Sequence, residues 1–163
     1  MANGGKLIAA GTSTNPIKFL SSFSTPGLDD WYGIRVKRGG SARVEYCYIR
    51  NAYGAISYEV GVLAADTIKN VHIAKGLAFG INADSTPNLV VRNCGIDSIG
   101  TGSVGRGIGV NLGALSNSGA KIIGDTVRAC LIGMAICGST SPVENCMVIG
   151  SDSAHTGDRK SVV

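Results

Sequence analysis

Three observations predict that this sequence folds as an all-β solenoid of about six stacked coils. The first is a six-residue apolar pattern that occurs five times. Its copies are Val44–Ile49, Ile68–Ile73, Val91–Ile96, Ile122–Val127 and Val143–Val148, with starts 24, 23, 31 and 21 residues apart. The second is a glycine beside an aliphatic residue, at Gly33, Gly54, Gly80, Gly107 and Gly133, with spacings of 21, 26, 27 and 26 residues. The third is composition: 24 glycines in 163 residues, with 16 Ile and 14 Val against 9 Leu. Branching at Cβ suits pleated, buried strands and disfavours helices. A unit of fixed length that cannot bury its own apolar face must stack on its neighbours.

The hexads come first among the elements. Each opens and closes on an aliphatic residue, so the first, fourth and sixth positions are expected to face inward, and the second and fifth outward. The third position holds Asn70, Asn93 and Asn145 in three copies. Asparagine tolerates a left-handed backbone, which marks a corner between two short strands, and its amide can bond the next corner. Tyr46 and Gly124 interrupt that series, and looser corners are expected there. The glycine landmarks fit a further turn that needs a positive φ, giving two strands per coil separated by that turn. Between the landmarks, Ser57–Asp66, Ser98–Gly105 and Gly113–Gly119 are rich in small and polar residues and read as loops.

Several function classes fall away on composition. The net charge of +4 is spread out, and its densest cluster is Arg35, Lys37 and Arg38. Nucleic-acid binding asks for a larger basic patch interleaved with aromatics, so no nucleic-acid partner is expected. No apolar run approaches the ~18 residues of a membrane-spanning helix. The five cysteines, Cys47, Cys94, Cys130, Cys137 and Cys146, have no zinc-like pairing. Cys47, Cys94 and Cys146 share the inward fourth position. Cys47 and Cys94 are two coils apart, roughly 9–10 Å, beyond the ~7 Å reach of a disulfide. They read as small buried thiols.

The outward fifth position runs Tyr48, His72, Gly95, Thr126, Met147, flanked by Arg50, Ala74, Asp97 and Arg128. From this stripe the candidate binding face is Tyr48, Arg50, His72, Asp97 and Arg128. No catalytic set emerges. Hydrolysis of a polysaccharide needs two carboxylates about 5–9.5 Å apart. Among Glu45, Asp97 and Glu144, no two hold the same position in adjacent coils. Asp29-Asp30 is the only acidic doublet and reads as a turn before Trp31. His72 is outward and His155 near the end, and neither has a triad partner. Gly105-Arg106-Gly107-Ile108-Gly109 lacks the Lys-Ser/Thr of a phosphate loop, and no cofactor or metal motif is present.

With these residues in view, the chain resembles the right-handed parallel β-helix family, the pectate-lyase-like solenoids. The resemblance runs from Gly5 to about Ser151. Gly5–Thr12, Asn15-Pro16-Ile17-Lys18-Phe19 and Trp31-Tyr32-Gly33-Ile34 look like a stretch found in bacterial surface β-helix proteins. The expected fold is therefore a right-handed parallel β-helix solenoid, uncapped at both ends. A leucine-rich repeat has a similar period, but its Leu-x-x-Leu-x-Leu strand pattern is missing. A β-sandwich would not keep cysteine in register.

The hydrolase branch of the family implies an Asp-Asp pair on a strand, a Gly-His-Gly and an Arg-x-Lys. Only Arg35-Val36-Lys37 fits, upstream of its proper place. The lyase branch implies an acidic calcium cluster and a basic residue as proton acceptor, for which Arg50, Arg92, Arg106 and Arg128 are available. The resemblance implies a structural or recognition segment of an extracellular or surface protein, with a polysaccharide or cell-surface glycan as partner. The alternative is a polysaccharide lyase or glycoside hydrolase whose catalytic coils are partly missing.

The ends have their own expectation. Asp158–Val163 matches the translation of a common short-read sequencing adapter, and neither end offers a capping element. Residues 1–157 are expected to be a partial β-helix domain that lacks flanking coils of its own chain, and 158–163 to be foreign to it.

Overall fold

The computed structural model of the chain describes residues 4–62, 64–83, 86–101, 107–112, 119–136 and 142–150. Asp84, Arg106, Cys137, Asp152, His155 and Asp158–Val163 lie outside the described residues. Among the described residues, six successive coils form a parallel β-helix. The first holds β1 (Lys6–Ala10), β2 (Ile17–Phe19) and β3 (Ile34–Val36). The second holds β4 (Ser41–Glu45), β5 (Cys47–Arg50) and β6 (Gly54–Tyr58). The third holds β7 (Thr67–Lys69), β8 (His72–Gly76) and β9 (Phe79–Ala83), and the fourth β10 (Val90–Arg92), β11 (Gly95–Ile99) and β12 (Ile108–Leu112). The fifth holds β13 (Lys121–Ile123), β14 (Thr126–Arg128) and β15 (Ile132–Ile136), and the last β16 (Val143–Glu144) and β17 (Met147–Ile149).

The first five coils each give one strand to each of three parallel sheets, and the sixth gives one to each of the first two. The first sheet runs β1-β4-β7-β10-β13-β16, the second β2-β5-β8-β11-β14-β17 and the third β3-β6-β9-β12-β15. This corrects the expectation of two strands per coil. The hexad itself breaks at its third residue into a strand of each of the first two sheets, and the glycine landmark begins the third.

The break has one backbone cause, repeated. Tyr46, Asn70, Asn93, Gly124 and Asn145 all take a left-handed φ, between 49° and 70°. The corners at Tyr46 and Gly124 thus keep the geometry of the asparagine corners. At Gly124 a Cβ would come within 2.6 Å of Asn93 Oδ1, so the neighbouring asparagine occupies the space a side chain would need. Four of the five landmark glycines stand where a Cβ would collide with a neighbour, and two of these also need a positive φ. Gly33 (φ 87°) and Gly107 (φ 134°) supply a positive φ, as expected. Gly80 and Gly133 allow close approach, because an added Cβ would lie 2.5 Å from Gly109 O and 2.3 Å from Val148 Cγ1.

Register stacks like on like. Ile49 and Ile73 pair across β5 and β8, Ile73 and Ile96 across β8 and β11, Ile96 and Val127 across β11 and β14. These four are buried completely or nearly so. Burying each aliphatic side chain contributes about 1.5–3 kcal/mol. In the last described coil the column ends at Val148, which is 39% exposed. Cys47 and Cys94 are buried in the fourth-position column, Cys146 is half-buried, and all three are free thiols. Trp31 closes the first coil: its Nε1 donates to Arg50 O at 2.8 Å and its ring stacks on Phe19 at 6.3 Å.

Candidate functional site

The outward face of the second sheet gathers all five residues of the predicted binding face. Tyr48 pairs in register with His72, and their rings lie 5.0 Å apart. The Arg50 guanidinium sits 5.6 Å from the Tyr48 ring centroid, a cation–π contact. Two coils on, Asp97 pairs with Arg128 at 3.5 Å. Both partners are substantially exposed, and such pairs contribute ~0–1 kcal/mol. Ala74 pairs with Arg50 on one side and Asp97 on the other, separating the two clusters. Burial lowers the His72 pKa; Arg128 and Arg50 add to that, while Asp97 opposes it. His72 is therefore neutral at pH 7. The strip follows the sheet, and its charges are spent largely on one another.

A groove of about 600 Å³ lies elsewhere, on the third sheet, and sequence reasoning missed it. Four aromatic residues line it: Tyr32 before β3, Tyr53 before β6, the buried Tyr58 at the end of β6, and Phe79 at the start of β9. Tyr32 is 72% exposed, and its ring lies 6.3 Å from that of Tyr53 at 59°. Arg35, Ser57 and Asn82 occupy one outward row, since Arg35 pairs with Ser57 and Ser57 with Asn82. The row continues to Asn111, whose Nδ2 donates to Asn82 Oδ1 at 2.6 Å. Arg38 and Glu59 complete the polar lining. Glu59 lies 3.8 Å from Arg35 and 4.0 Å from Lys37. Part of the basic cluster noted in the sequence thus borders an aromatic groove. The signal was present: in three successive coils an aromatic residue precedes the landmark glycine, as Tyr32-Gly33, Tyr53-Gly54 and Phe79-Gly80.

Glu59 is the groove's single carboxylate, so the lining does not contain the pair needed for glycoside hydrolysis. Asp30 is used in its turn, accepting from Gly27 N at 3.1 Å. Among the described residues, no three His, Cys, Asp or Glu side chains gather as metal ligands, and no helix is long and apolar enough to cross a membrane.

Two buried carboxyls complete the inventory. Asp66 Oδ2 accepts from Ala42 N at 2.8 Å, and the Tyr58 hydroxyl beside it is near enough to feel its charge without meeting hydrogen-bond geometry. Burial raises the pKa of both groups. Asp125 occupies the inward fourth position of its hexad, where other copies hold Cys or Val.

Comparison with known proteins is consistent with this architecture. No curated protein and no solved structure matches the chain significantly. The model of the right-handed β-helix region matches residues 18–160. That match spans most of the chain, and the three parallel sheets agree with it: the chain belongs to the right-handed β-helix family.

Proposed function

We propose that this chain is a recognition segment of a secreted or surface β-helix protein, and that it holds a saccharide in the groove of Tyr32, Tyr53 and Phe79. One observation carries the reading: aromatic faces, guanidinium groups and a side-chain amide line one groove. Ligand sites combine apolar walls with a few polar groups that fix orientation. A sugar ring offers the matching pair of surfaces, with C–H groups for the rings and hydroxyls for Arg35, Ser57 and Asn82. The Tyr48–Arg128 strip serves this reading less well, because Asp97 and Arg128 already pair, as do Tyr48 and His72.

The test is binding to a panel of bacterial and host glycans, followed by calorimetry on any hit. Tyr32→Ala and Tyr53→Ala are expected to lose binding at least tenfold, and Tyr48→Ala to retain it. The opposite order would move the site to the second sheet. A panel without a single hit would remove the glycan reading.

A further inference from the structure

Asp125 is a carboxylate in a place built for thiols and aliphatics. The corresponding hexad position holds Cys47, Val71, Cys94 and Cys146 in the other coils. Asp125 is fully buried. Its Oδ1 accepts from Cys94 N at 2.5 Å, and its Oδ2 is buried with no hydrogen-bond partner. The backbone at this corner is locked into its neighbours: Thr126 N donates to Cys94 O at 2.9 Å, and Met147 N to Asp125 O at 2.8 Å. Opening the corner would therefore loosen the coils on either side.

A carboxylate with one bare oxygen in an apolar column cannot carry a charge cheaply. The titratable groups facing it are the Cys94 thiol from the coil before and the Cys146 thiol from the coil after. Both are held protonated by burial, so neither supplies a countercharge near neutral pH. No basic side chain is among the groups acting on it.

We propose that Asp125 makes the last two coils a proton-operated latch, closed while the carboxyl is protonated and increasingly open as it ionises. Burial pushes the acid up to about 6 from its ordinary 3.8, with the Cys94 amide pulling the other way. Between those values the folded corner holds a proton that the opened corner releases. The stabilisation is thus complete below pH 3.8, falls as pH rises through this window, and is gone above about 6. Closure is expected to weaken about tenfold per pH unit inside the window, about a hundredfold in total.

Hydrogen exchange on the full chain, corrected for intrinsic rates, reads this locally. In the wild type, protection of the Cys94, Thr126 and Met147 amides should fall between pH 4 and 6 and then level. Amides of Ile49 and Ile73 should not follow. Asp125→Asn keeps the acceptor and removes the titration, so its profile should be flat. Asp125→Cys restores the residue of the neighbouring coils and should also be flat, which keeps the test open if the asparagine variant folds poorly. A flat wild-type profile would overturn the latch. So would a slope that survives both substitutions, or one shared equally by Ile49 and Ile73.

Discussion

Gly109 tests the packing between coils most directly. An alanine there would place its Cβ 2.3 Å from Val127 Cγ1 and 2.6 Å from Gly133 O. Ordinary carbon–carbon contact is about 3.5–4.0 Å, so Val127 would have to retreat by more than about 1 Å. Val127 is fully buried and cannot retreat without displacing its column. The second contact is with the backbone of the next coil, which has no rotamer to change. Overpacking of this kind costs about 1–3 kcal/mol, and the carbonyl places Gly109→Ala near the top of that range. Urea unfolding followed by circular dichroism gives the cost, with a drop in Tm of about 6–12 °C as an independent reading. The double-mutant cycle with Val127→Ala separates the two contacts. In that background the cost of Gly109→Ala should fall by about 1 kcal/mol or more, leaving the share due to Gly133 O. A Gly109→Ala protein within about 0.5 kcal/mol of wild type would refute the close-approach account, and so would a cycle without coupling.

The remaining predictions concern separate parts of the molecule. Ile73→Asp puts an unpartnered charge in a fully buried column, and loss of the β-sheet dichroism signal is expected. Trp31→Phe keeps the stack on Phe19 but removes the bond to Arg50 O, costing about 1 kcal/mol in urea unfolding. Tyr32→Ala should leave the unfolding midpoint within about 0.5 kcal/mol of wild type, since the ring is largely exposed, so any lost glycan binding reflects lost contact.

The coil was legible because its constraint is written in residue type at fixed spacing. Inward aliphatics at the first and sixth hexad positions must repeat, or the stack opens. The corner was half legible. Asparagine announced the left-handed φ at three positions, whereas Tyr46 adopts φ 49° although nothing in a tyrosine favours it. Tertiary pairing on both sides overrides the local preference there. The third strand was hidden because the corner inside the hexad already accounts for two strands, and a glycine beside an aliphatic residue signals a turn as readily as the start of a strand. Tyr48, Arg50, His72, Asp97 and Arg128 share one sheet because alternation along a strand fixes which side a residue takes. The groove was not found, because Tyr32, Tyr53 and Phe79 lie just before strand β3, just before strand β6 and at the start of β9, outside the hexads. Asp125 holds the inward fourth position of its hexad, but an aspartate gives no sign of burial until the column is followed coil by coil.

Among the described residues every sheet pairing joins one coil to the next, so these sheet hydrogen bonds run along the solenoid axis. Tension applied between its ends therefore meets them one coil at a time, and never a whole sheet in shear. Under a pulling force the chain should peel like a zip. A typical coil is 24 residues, as between Val44 and Ile68, and each release should lengthen the tether by about 80 Å. Bending and compression, in contrast, load the packed aliphatic columns directly. A rod of this kind keeps the aromatic groove at a fixed place along its length when bent or compressed, yet should yield one coil at a time when pulled.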